Sequence, residues 1–192
     1  MDRARPPCPT PAWGERSGAR GGGSAGRLAV RSARVLGAGR VVGAARGKDL
    51  PQALGLGADA VVDLADEGAV DEGLAAAAPG GYDVIVDFLW GGFAPLAMNH
   101  ATAGARYIQV GNSAGAAATI VGPVLRNKPM TLIGHGLFAT PVEVRRSAYA
   151  RLAGHAAAGE FTMDLERTRL EDIGATWEHL ENGAARKLVV TP

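Results

Sequence analysis

Short apolar runs alternate with helical stretches along most of this chain, and that alternation limits its fold more than any other feature. The runs are Val41-Val42-Gly43-Ala44-Ala45, Ala60-Val61-Val62-Asp63, Tyr82-Asp83-Val84-Ile85-Val86-Asp87, Ala105-Arg106-Tyr107-Ile108-Gln109-Val110-Gly111 and Met130-Thr131-Leu132-Ile133-Gly134. Their near-continuous Val and Ile content predicts strands buried on both faces, as in a parallel sheet. Helical spacing is predicted between them, over roughly 28–36, 48–56, 67–77, 93–103, 120–127 and 141–158, with stops at Gly37, Gly57 and Pro79-Gly80-Gly81. Together these predict an α/β fold, a doubly wound parallel sheet covered by helices. From Phe161 the pattern changes to strand, helix (Glu171 to Glu181) and strand (Lys187 to Val190). The expected division is therefore a domain over 21–160 and a separate segment over 161–192.

Residues 1–20 carry Pro6, Pro7, Pro9, Pro11 and several arginines with neither helical nor strand period. They are expected to be disordered or non-native, with no strand ahead of the glycines that follow. Lys and Arg total 20 against 19 Asp and Glu, which gives no electrostatic reason to expect nucleic acid or an acidic membrane surface. The lone Cys8 makes neither an internal disulfide nor a Cys-based zinc site. No apolar run approaches the roughly 20 residues of a membrane span, and no secretory signal is visible, so the default location is cytoplasmic. His100, His135, His155 and His179 are spread singly, without metal-ligand spacing. His135, just past a strand, is the one nearest a possible site. Neither a G-x-S-x-G elbow nor a G-x-x-x-x-G-K-[ST] loop occurs, which argues against an α/β-hydrolase and against ATP or GTP hydrolysis.

Gly21, Gly23 and Gly26 fit G-x-G-x-x-G and open the first helix. In a dinucleotide site such glycines allow a tight turn, close approach of backbone to a pyrophosphate, and close packing of helix on strand. A glycine-rich linker reads the same way. A ribose-binding acid is expected about 20 residues further on. Arg46 and Lys48 stand there instead. Cations suit the extra 2′-phosphate of NADP, although a solvated loop charge is the plain alternative.

The run from Leu36 to Arg46, followed by Leu54-Gly55-Leu56-Gly57-Ala58-Asp59-Ala60-Val61-Val62-Asp63, resembles the medium-chain dehydrogenase/reductase superfamily, in its zinc-independent, quinone-oxidoreductase-like branch. Tyr82 to Trp90, Gln109-Val110-Gly111, Leu132-Ile133-Gly134 and Lys187-Leu188-Val189-Val190 continue the likeness in order, over about residues 21–192. The resemblance implies a Rossmann domain binding NADPH, with NADH the weaker candidate, and hydride transfer to a small quinone, enone or aldehyde. By position it places Gly21, Gly23 and Gly26 at the pyrophosphate and Arg46 and Lys48 at the 2′-phosphate. Phe88, Leu89 and Trp90 flank the adenosine or ribose, and Gly111 and Asn112 approach the nicotinamide. Core packing for Phe88 and Leu89 and an ordinary turn for Gly111 and Asn112 remain open. The resemblance also implies a homodimer through the edge strand, Met130 to Gly134.

Two departures from the family are expected. The N-terminal catalytic domain is missing, so no catalytic residue is assigned and no metal is expected. The first strand of the sheet, central in the order 3-2-1-4-5-6, is missing or unrecognisable. The rival reading is a non-catalytic nucleotide-binding or interaction remnant. A methyltransferase is a weaker alternative, because an acid usually meets a ribose where Arg46 and Lys48 stand.

Overall fold

The computed structural model describes residues 9–13, 24–161, 163, 165–182 and 186–192. Six parallel strands form the main sheet: β1 (Pro9–Trp13), β2 (Arg40–Ala45), β3 (Ala60–Asp63), β4 (Tyr82–Asp87), β5 (Ala101–Gln109) and β6 (Thr131–Gly134), in the order β3-β2-β1-β4-β5-β6. This is the doubly wound arrangement expected from the alternating runs. A smaller parallel pair, β7 (Leu165–Arg169) and β8 (Lys187–Thr191), is linked through α7 (Ile173–Glu181). No helix among the described residues is long and apolar enough to cross a membrane.

The central strand corrects the expectation that none precedes the glycine-rich turn. Pro9–Trp13 lies between β2 and β4, with Pro9 opposite Arg40, Trp13 opposite Ala44, and Ala12 opposite Val86. Two prolines within five residues argue against a central strand, since each removes a ladder donor. Here N–H donors remain only at Thr10, Ala12 and Trp13. Registration with β2 runs over five residues, whereas β4 is registered only at Ala12. The physical reason is the vacancy itself. Without β1, the facing edges of β2 and β4 would be unpaired inside the sheet, and that cost outweighs the two missing donors.

Helices cover the two faces unequally. On one face, α1 (Ser24–Val35) and α2 (Leu50–Gly55) bury Val30, Ala33 and Ala53 against Val41. On the other, α3 (Val70–Ala77) and α4 (Phe93–Asn99) bury Val70, Leu74, Phe93 and Met98 against Val42, Val62, Tyr82, Ile85 and Tyr107. Consecutive strand residues therefore serve opposite cores, Val41 one and Val42 the other, as the pleat requires. The helices α5 (Gly122–Asn127), α6 (Val142–Ala157) and α7 contribute no buried residue. An apolar groove of about 260 Å³ separates α6 from α1, lined by Val35, Leu36, Ala148 and Leu152.

The fourth helix is shorter than predicted. It ends at Asn99, and β5 begins at Ala101, which pairs with Tyr82 before the register shifts at Val84. Gly104, at φ +81°, turns the strand so that its N–H meets the Pro129 carbonyl at 2.5 Å. Helical spacing does not reveal such a stop, because it lies in a contact between strands.

The most recognisable stretch of sequence, around Asp59, proves to be structural. The Asp59 carboxylate accepts the Val41 N–H at 2.7 Å and pairs with the Arg34 guanidinium, tying β2, β3 and α1 together at the amino edge of the sheet. Partial burial alone would raise the Asp59 pKa, but the Val41 N–H and the Arg34 and Arg40 charges outweigh it and hold the carboxyl below its ordinary value of 3.8. A depressed folded pKa stabilises the fold above the unfolded value, and the gain is lost as pH falls through the folded one. Asp59→Asn is accordingly expected to lower the melting temperature at pH 7 and to have a smaller effect in acid below the folded pKa. Equal losses under both conditions, in melts across that range, would exclude the charge as the cause.

Candidate functional site

In an open parallel sheet, ligands bind beyond the carboxyl ends of the strands, where the winding reverses. Here that point lies between β1 and β4. Of the glycines predicted for this edge, Gly21 and Gly23 lie outside the described residues, while Gly26 is buried in the first turn of α1. Arg46 directly follows β2, exposed, with its guanidinium 3.5 Å from Glu67. Lys48 stands in the 3-10 turn Gly47–Asp49. Sequence reasoning missed Arg27, in the first turns of α1, which pairs with Asp49 of that 3-10 turn at 3.4 Å. The end of β2 thus carries Arg46 where an NAD-type site would carry an acid, within a corner of paired charges, Arg27 with Asp49 and Arg46 with Glu67. Arg46 and Glu67 are well exposed, so their pairing is weak.

The ends of β4 and β5 are joined into one wall. Asp87, the last residue of β4, is only 2% exposed. Its Oδ1 accepts the Leu89 N–H at 2.7 Å and the Trp90 N–H at 3.1 Å, and Oδ2 accepts the hydroxyl of Tyr107 from the adjacent strand. Its main-chain carbonyl accepts the N–H groups of Val110 and Gly111 at 2.7 and 3.2 Å. Further along, Phe88 O accepts Ser113 N–H and Oγ, and Leu89 O accepts Ala114 N–H at 2.9 Å. Burial, together with the Asp87 charge and hydrogen bond, pushes the Tyr107 phenol far up, so its O–H remains a donor at any working pH.

This bonding holds an unusual turn. Trp90 has φ +58°, left-handed backbone that bulky residues rarely adopt, and Gly91 follows at φ +59°. The Trp90 indole meets the Tyr107 ring edge-on, with centroids 6.2 Å apart and planes at 71°. Gly111 packs so tightly on Phe88 that a Cβ there would lie 2.8 Å from the Phe88 carbonyl oxygen.

Of the residues predicted for this wall, Trp90, Gly111 and Asn112 come together at the ends of β4 and β5, with Asn112 exposed. Leu89 does not line a surface. It is fully buried in the main core, which settles it as packing. His135 lies on the same edge just past β6, its N–H donated to Gln109 O at 2.8 Å. Asp87 and Tyr107 were missed as a pair. Each looks ordinary in sequence, and only the parallel register that sets Ile85 against Tyr107 and Asp87 against Gln109 brings them together.

A doubly wound sheet with its reversal between β1 and β4 defines a dinucleotide-binding class of domain. Residues 25–153 match the zinc-binding dehydrogenase family, and the chain belongs to it. This agrees with the cofactor-binding part of the medium-chain dehydrogenase/reductase superfamily. No curated protein matches the sequence. Among solved structures, an alcohol dehydrogenase zinc-binding domain protein from Burkholderia ambifaria is 19% identical, with TM-score 0.78, covering 97% of this chain and 49% of its own. The quinone oxidoreductase of Thermus thermophilus, solved also with NADPH, is 22% identical, with TM-score 0.70, covering 93% and 55% respectively. CurA from Vibrio vulnificus in complex with NADPH is 21% identical, with TM-score 0.71, covering 96% and 56%. The chain thus spans about half the length of the structures it matches. Although the family's description names zinc, no group of three or more His, Cys, Asp or Glu among the described residues converges to hold a metal ion.

Proposed function

We propose that this chain is the cofactor-binding half of an NADPH-dependent oxidoreductase of the zinc-independent, quinone-oxidoreductase-like type, acting on a small molecule in the cytoplasm. The observation carrying the reading is the carboxyl edge of the sheet, with Arg46 in a charged corner after β2 and a hydrogen-bonded wall after β4 and β5. Arg46, with Lys48, takes the 2′-phosphate, and Gly21, Gly23 and Gly26 take the pyrophosphate. Trp90 flanks the adenosine or ribose, and Gly111 and Asn112 approach the nicotinamide. NADPH supplies a hydride to a quinone, enone or aldehyde, and this chain's residues bind and orient it. The cofactor domain includes Pro9–Trp13 as its central strand and runs to about residue 160, with 161–192 a return segment of the catalytic domain. Homodimerisation through β6 is part of the same reading, supported by the open edge at which Leu132 and Ile133 are 43% and 40% exposed.

The test is a thermal melt of the purified chain with saturating NADPH or NADH, since a ligand bound to the native state alone raises the transition. NADPH should raise it more than NADH. Arg46→Glu should abolish that preference, a change of roughly 10- to 100-fold in relative affinity, because a charge-assisted hydrogen bond contributes about 1.5–3 kcal/mol. A cooperative transition that neither nucleotide moves would refute the reading and leave a fold without cofactor function.

A further inference from the structure

We infer that Asp87 and Tyr107 are positioning residues that lock the left-handed Trp90–Gly91 turn, and thereby fix the wall against which the nicotinamide end of NADPH lies. The inference rests on the cofactor reading above and deepens it by committing the Trp90 turn, joined to Gly111 through the Asp87 carbonyl, to the nicotinamide half. A buried carboxylate needs several donors to be tolerated, and Asp87 has three from within its own turn and the adjacent strand: Leu89 N–H, Trp90 N–H and the Tyr107 hydroxyl. Together they hold Trp90 at φ +58°, a conformation this side chain would not keep alone. Tyr107 also meets the indole edge-on, so one residue orients both the backbone and the ring of Trp90.

The arrangement is specific to one end of the edge. The charged corner after β2 is built from Arg27, Asp49, Arg46 and Glu67, on the other side of the central strand β1 from Asp87 and Tyr107. Loosening the β4–β5 wall should therefore weaken recognition of the nicotinamide half of the cofactor and leave the adenosine half alone. Catalytic geometry depends on such preorganised walls, because small displacements at a reacting ring are costly.

The experiment uses calorimetric titration of the whole chain with two probes: NADPH, and adenosine 2′,5′-bisphosphate, which carries the adenine-side phosphate and no nicotinamide. Tyr107→Phe should weaken NADPH about tenfold, the order expected when a buried acceptor loses a donor, and leave the bisphosphate within about twofold. Asp87→Asn keeps an oxygen for the Leu89 and Trp90 N–H groups but sets an amide NH2 against the Tyr107 hydroxyl, so it should weaken NADPH in the same direction as Tyr107→Phe and likewise spare the bisphosphate.

Equal loss of both ligands in Tyr107→Phe would mean a general structural role and overturn the inference, as would no loss of NADPH. If the unsubstituted chain binds NADPH no tighter than the bisphosphate, the wall contributes nothing and this inference alone fails. If it binds neither, the cofactor reading fails with it. Should Tyr107→Phe not fold, amide exchange on the unsubstituted chain decides. Segments 87–91 and 107–112 should gain protection together with NADPH and not with the bisphosphate. Protection confined to 46–49 under both ligands would overturn the assignment.

Discussion

Asp87→Ala is expected to destabilise the chain by about 3 kcal/mol or more, among the largest losses any single substitution here should produce. The side chain removed is small, so little of the loss comes from packing volume. It comes from the Leu89 and Trp90 N–H groups and the Tyr107 hydroxyl, left without an acceptor where water has little access. Each orphaned buried donor costs about 1–3 kcal/mol, and the three share one site, so their sum is an upper bound. Denaturant unfolding of Asp87→Ala beside Asp87→Asn separates this cause from a cavity effect. The asparagine variant fills the same space and still accepts the Leu89 and Trp90 N–H groups, but it sets an amide NH2 against the Tyr107 hydroxyl, so it should recover part of the stability. An asparagine variant as unstable as the alanine one would mean the negative charge itself is required.

Asp87 also marks where sequence reasoning stopped. The strands β2 to β6 were legible because each is a short apolar run that needs no distant residue to explain it. Trp90, Gly111 and Asn112 were legible as residues just past those runs. The Asp87–Tyr107 contact was not, since 20 residues separate the pair and only the β4–β5 register joins them. A signal did exist. A parallel alignment that sets Asp87 level with Gln109 puts Tyr107 two residues back, on the same face. The central strand failed for the opposite reason. Pro9 and Pro11 obey a sound local rule, and the rule was overridden by two neighbouring edges that local reasoning does not see. Asp59 gives a third case. Its stretch identified the family, yet the residue ties β2, β3 and α1 at the amino edge, opposite the candidate site. A recognisable motif was therefore a guide to fold and no guide to chemistry.

Gly91→Ala should be the most damaging of the left-handed glycine substitutions, and Gly104→Ala shows why. Both residues have positive φ, +59° and +81°, so both variants bear the conformational cost of a Cβ in left-handed backbone, about 1–2 kcal/mol. At Gly104 nothing lies within 4 Å of the added carbon, so that cost stands alone. At Gly91 the carbon would lie 2.7 Å from the Ala114 carbonyl oxygen and 2.9 Å from its carbonyl carbon. Those are backbone atoms, held by Ala114 N–H bonding to Leu89 O and by the Trp90–Gly115 bridge, so they cannot swing aside as a side chain would. The β4 and β5 loops must separate instead. Gly91→Ala should then lose about 3 kcal/mol in denaturant unfolding, and what remains folded should bind NADPH more weakly than Gly104→Ala does. Equal losses in the two variants would mean that the dihedral alone matters and that the two loops yield freely. The wall would then not be rigid, and neither Trp90 nor Gly111 would be held in place for a ligand.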